Sequence, residues 1–160
     1  IGGQDPSEII SSVEWSTIIF FIGLFIVVGG ISESGVIKDL ASLLLEFTKG
    51  NTTSTMCIIL WMSAVISSFL DNIPFVATLI PLILTMEAQG MNVAPLWWAT
   101  SLGACLGGNG TLIGASANVV LANIGEKHGY DISFKKYLRL GFPVMILTIA
   151  ISTVYLLLRY

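Results

Sequence analysis

An all-α integral membrane protein is the fold class that this sequence predicts, on three observations. Of 160 residues, 54% are hydrophobic and 11% charged, against about 25% charged in a typical soluble domain, and the mean hydropathy is +0.87. The apolar residues fall in runs of helical length divided by short polar turns. Two runs are interrupted, one by Asp71-Asn72-Ile73-Pro74 and one by Gly107-Gly108-Asn109-Gly110-Thr111. Backbone at membrane depth is non-helical only where protein buries it or it lines a watery cavity, so both breaks point to a binding site.

The elements follow in order. Residues 1–14 are the polar, acidic end of a loop, with Asp5 suited to cap a first turn that holds Pro6. The chain opens in mid-loop without a methionine, which suggests a piece of a longer protein. A first span covers 15–31, with Trp15 at the interface and Gly29-Gly30 at a helix end or a close helix contact. In 33–48, Val36, Ile37, Leu40, Leu43, Leu44 and Phe47 recur at three- and four-residue spacing among charged residues. That pattern predicts an amphipathic helix lying on the membrane surface, or else one packed in the bundle with a wet face.

Residues 54–87 form two apolar arms, each of roughly 12–16 residues where about 20 are needed to cross the hydrocarbon core. They predict a re-entrant hairpin or one bent span. Residues 94–124 read as a single span with an unwound, glycine-rich centre, a discontinuous transmembrane helix. The loop 125–139 carries Lys127, Lys135, Lys136 and Arg139 and is cytoplasmic by the positive-inside rule. A last span covers 140–158, with Pro143 near its start and Arg159 and Tyr160 at its end. With 125–139 inside, the hairpin enters from and returns to the outer side, the surface helix lies outside, and the first span starts in the cytoplasm. A bent full span at 54–87 reverses the sides of 33–48 and 1–14.

The breaks carry the chemistry. Half-helices starting near Ile73 and Thr111 aim unpaired N–H groups at mid-membrane, which suits an anion or polar oxygens. Freed carbonyls near Phe69–Leu70 and Leu106–Gly107 suit a cation instead. Asp71 is an ionisable residue in the bilayer interior and so a candidate cation ligand or proton carrier. Its plainer role is to cap the second arm, with Pro74 in the first turn. Asn72 shapes the tip or donates to substrate. Gly107, Gly108 and Gly110 allow unwinding and close approach, and Asn109 and Thr111 offer side-chain oxygens or act as caps. Ser116 and Asn118 line the cavity or bond between helices. Asp71, Asn72 and Asn109 are the candidate Na⁺ ligands.

Other chemistry is poorly supported. GGNGT has no following lysine and no preceding strand, so it is no phosphate loop. No basic stripe with interleaved aromatics suggests nucleic acid. Cys57 and Cys105 read as buried small apolar residues, and His128 as a solvated loop histidine. An intramembrane aspartyl enzyme needs a second acid for Asp71, and the remaining acids sit in loops or at segment ends. No enzyme and no cofactor are expected.

The order LDNIPFVATLIPLI, SLGACLGGNGTLIGASANVVL, basic loop and closing span resembles the C-terminal half of the ion transporter superfamily. That superfamily includes citrate and divalent-anion transporters, arsenite permeases, NhaD-type sodium/proton antiporters and the pink-eyed-dilution protein. The likeness runs over about residues 15–158. It implies two inverted repeats, each with a hairpin and a broken helix, and a substrate between their tips. This chain then supplies one inverted repeat and lacks the N-terminal one. The resemblance also implies a possible homodimer in a prokaryotic plasma membrane. The tip here is Asp71-Asn72-Ile73 where dicarboxylate carriers tend to have Ser-Asn-Thr, and Asn118 follows Ala115-Ser116-Ala117 where they tend to have Pro-Pro-Asn. Both departures favour a small inorganic ion or oxyanion, coupled to H⁺ or Na⁺, over a di- or tricarboxylate. A structural membrane bundle is the remaining alternative.

Overall fold

A computed structural model describes residues 15–160; the readings of 1–14 and of the Trp15 side chain lie outside the described residues. The described residues form seven α-helices and no strand: α1 Trp15–Glu33, α2 Val36–Phe47, α3 Thr52–Ser67, α4 Asn72–Ala88, α5 Ala94–Gly107, α6 Ser116–Lys127 and α7 Phe134–Arg159. Only α7, among the described residues, is long and apolar enough to cross a membrane as one helix. At 1.5 Å per residue, α3 and α4 reach only about 24–26 Å each, short of the roughly 30 Å hydrocarbon core. α1 and α2 meet at an angle of 65°, turning at Gly35, whose φ of 84° suits glycine best.

The core is the seam between α3 and α5. Gly103 and Gly107 stand one turn apart on α5, and each lies against α3 backbone. A Cβ on Gly103 would come within 2.5 Å of the Leu60 carbonyl oxygen, and one on Gly107 within 2.5 Å of that of Ala64. Small residues spaced in this way let helices approach closely where lipid offers no hydrophobic drive. α7 closes the seam from one side with Met145 and Ile149 fully buried, and the Trp61 indole donates to Thr153 Oγ1 at 3.1 Å. The hydroxyls of Ser63 and Thr100 are buried in the described structure without a hydrogen-bond partner.

The two arms of 54–87 scarcely touch one another, and α4 packs instead on α5 and α2. α2 turns Ile37 and Ala41 inward and leaves Val36, Leu40, Leu43 and Phe47 exposed.

Two boundaries and one burial differ from those read in the sequence. The second half-helix begins at Ser116, not near Thr111, because 108–115 wraps around the end of α3 before helix resumes. α7 begins at Phe134, so the basic residues 135–139 are helical and Pro143 sits inside the helix rather than near its start. Cys105 is exposed and not buried: α5 spends its small residues on α3, and Cys105 falls on another face.

Candidate functional site

The first break, 68–71, follows the last residues of α3. Ser68 and Leu70 still donate backward, to Ala64 O and Ile66 O at 3.0 Å each, and helix resumes at Asn72. Asp71 caps α4, its Oδ1 accepting from Ile73 N–H at 3.3 Å. Pro74 has no N–H to leave unpaired, so the cap and the proline together quiet this helix start. The Asp71 side chain is exposed.

The second break, 108–115, folds over the first. Thr111, fully buried, donates its hydroxyl to the Ser68 carbonyl. Ser67 Oγ lies within hydrogen-bond range of both Asn72 Oδ1 and the Ala104 carbonyl, the latter at 2.8 Å, and its single proton serves one of them at a time. Asn118, from the first turn of α6, reaches back to donate to Gly108 O at 2.9 Å and Thr111 O at 3.2 Å. Glycine is required at the contact. A Cβ on Gly114 would lie 2.7 Å from both Gly108 O and Ser68 O, and one on Gly108 would lie 3.1 Å from Asn72 Oδ1. α6 then starts at Ser116, and Ala115 before it provides no side-chain cap.

The structure therefore brings Asn72, Gly107, Gly108, Gly110, Thr111 and Asn118 into one interlocked unit. Gly107 belongs to the helix seam, and Thr111 and Asn118 spend their polar groups tying the unit together. Asp71 and Ser116 are exposed at its edge. Asn109 turns elsewhere, lining a groove against α7. The carbonyls of Ser68, Leu106 and Gly107 accept from Thr111, Asn109 and Gly110, whereas those of Phe69 and Leu70 accept nothing among the described residues. Among the described residues no three His, Cys, Asp or Glu side chains cluster as a metal site.

Sequence reasoning missed Ser67, Ser68, Gly103 and Tyr137. Gly103 was legible as the partner of Gly107 in a Gly-x-x-x-Gly spacing. The serines carried no signal beyond their place before the break. Tyr137, which lines the groove beside Asn109, was hidden in what read as a loop. His128, exposed, closes α6 with its Nδ1 2.8 Å from the Ile124 carbonyl.

Comparison with known proteins shows the family. The family model described as "Citrate transporter" matches residues 1–103. An uncharacterized transporter of Mycobacterium bovis is 47% identical over 100% of this chain and 38% of its own length. The P protein of Mus musculus is 42% identical over 98% of this chain and 20% of its own, and a 46 kDa membrane protein of Mycobacterium leprae is 42% identical over 100% and 38%. The chain thus spans well under half the length of these relatives. No solved structure matches. The chain belongs to the citrate transporter family, within the superfamily its motifs resemble, and is that of an integral membrane protein.

Proposed function

We propose that this member of the citrate transporter family is one repeat of a secondary active transporter, and that its two interlocked breaks form half of a solute site. One observation carries the reading. The end of α3 and the unwound 108–115 are tied to each other through Ser67–Asn72, Thr111–Ser68 and Asn118–Gly108, which leaves Asp71 and the Phe69 and Leu70 carbonyls open beside them. A carboxylate with free carbonyls is a hard oxygen set that suits Na⁺ or a proton. The uncapped start of α6, with the Ser116 hydroxyl, suits the oxygens of a small inorganic ion or oxyanion.

The finer architecture belongs to the same proposal. α3 and α4 are a re-entrant hairpin, α5 and α6 a discontinuous transmembrane helix, and the missing N-terminal repeat is their inverted counterpart. The connection before α7 lies in the cytoplasm of a prokaryotic cell, and two copies of the parent protein form a homodimer. Transport needs no cofactor beyond the coupling ion.

The family description favours a second substrate class, di- or tricarboxylates, which an acid at the tip opposes by charge repulsion. The parent protein in proteoliposomes decides. Na⁺-driven proton movement in the wild type, lost in Asp71→Asn, is the expected result. Citrate uptake that is unimpaired or improved by Asp71→Asn would turn the reading to a carboxylate carrier with Asp71 as a helix cap. Absence of any proton- or Na⁺-linked transport would overturn coupling at Asp71.

A further inference from the structure

We infer that the groove between the second break and the start of α7 is an aqueous vestibule, through which a small hydrated ion reaches that break from the side of the 128–133 connection. The inference rests on the reading of the breaks as a solute site. The groove has a volume of 490 Å³, within the roughly 300–1,000 Å³ usual for small-ligand pockets. Asn109 stands at its inner end. The backbone of Asn109 is held: its N–H donates to Leu106 O at 3.2 Å, and its carbonyl sits where a Cβ on Gly141 would come within 2.6 Å. Its side chain is exposed and has no hydrogen-bond partner among the described residues, so an amide on the break is presented to the groove.

The other end of the groove is marked by charge. Lys136 Nζ is 2.7 Å from Asp131 Oδ2 and 3.0 Å from the Asp131 carbonyl, with both side chains well exposed. Charges of this kind sit in water, since hydrocarbon would make them costly, and Asp131 offsets the charge of Lys136. Between the ends run Tyr137 and the apolar wall of Leu140 and Val144. The contrast is with the 560 Å³ groove between α1–α2 and α3–α4, whose lining is apolar but for Thr78; the Thr78 hydroxyl is already bonded to Phe75 O at 2.7 Å. That groove suits hydrocarbon, whereas the Asn109 groove, apolar over much of its wall, also carries an amide, a phenol and the Lys136–Asp131 pair, where water can be held.

The test is thiol labelling of the full-length parent protein in oriented membrane vesicles, with Cys57→Ala and Cys105→Ala as background and a membrane-impermeant methanethiosulfonate as probe. A thiol reacts as its thiolate, which needs water. Tyr130→Cys, at a 71% exposed position in the connection, marks the side. Asn109→Cys and Leu140→Cys are expected to react from the same side as Tyr130→Cys and at comparable rates. Leu147→Cys, on the exposed apolar face of α7, is expected to react at least an order of magnitude more slowly. Leu140 lies outside the break, so it reports on the groove even if Asn109→Cys disturbs the fold. Reaction of both test positions as slow as Leu147→Cys, or only from the side opposite Tyr130→Cys, would overturn the vestibule. Labelling reads access and not transport. Failure of the Asp71→Asn experiment therefore leaves these rates standing and removes only the solute reading.

Discussion

The two breaks solve one problem, a helix that stops and restarts within an apolar stretch, in opposite ways. The first is short, 68–71, and closes itself locally: Asp71 takes one N–H and Pro74 removes another. The second, 108–115, is long and glycine-rich and has no side-chain cap on α6. It is held from outside, by Ser68, by Asn118 and by the close fit of Gly114. A self-capped break keeps its acid free at the edge, while a break held by its neighbours depends on their shape. The first is therefore sensitive to charge and the second to volume.

That difference can be broken most directly at Gly114. Gly114→Val pushes side-chain carbons into two carbonyl oxygens that a Cβ would already approach to 2.7 Å. It is expected to cost about 1–3 kcal/mol or more, read as a lower unfolding temperature of the detergent-solubilised parent protein, whereas Gly29→Val, in open space, should not move it. Asn118→Ala comes next. It removes two hydrogen bonds and leaves the buried Gly108 carbonyl without its donor, while the Thr111 carbonyl keeps Gly114 N–H at 3.2 Å, for about 1–3 kcal/mol.

The first break should respond the other way. Asp71→Asn keeps a good capping residue, so stability should fall by less than about 1 kcal/mol while coupled transport is lost; a large stability loss with transport intact would reduce Asp71 to a cap. The smallest effect is expected in the seam. Thr100→Val removes a buried hydroxyl that bonds nothing and should be neutral or raise stability by about 1 kcal/mol.

The sequence carried the membrane class, the helix order and both breaks, because composition and apolar run length are local properties. It placed Asp71 and Pro74 correctly at a helix start, since capping is decided within one turn. The superfamily resemblance was carried by the same two motifs, and the family match agrees with it. The 128–133 connection was read too long because Lys135, Lys136 and Arg139 look like a loop, yet they form the wet first turns of a helix whose apolar part follows.

What the sequence by itself determined is where helix must stop: an acid, a proline and a cluster of glycines cannot continue an apolar run. Only the tertiary structure decided which break residues stay available. Thr111, read as an oxygen donor or a cap, and Asn118, read as lining the cavity or bonding between helices, are both ties in the fold, because Ser68, 43 residues away, and the Gly108 carbonyl, ten residues away, arrive beside them. Asn109 and Asn72, both amides at a break, were sent to different surfaces by the packing of α7 and α3. Hydrogen-bond partners across dozens of residues leave no periodic trace in a chain, and they settle which polar groups have a bond left to offer.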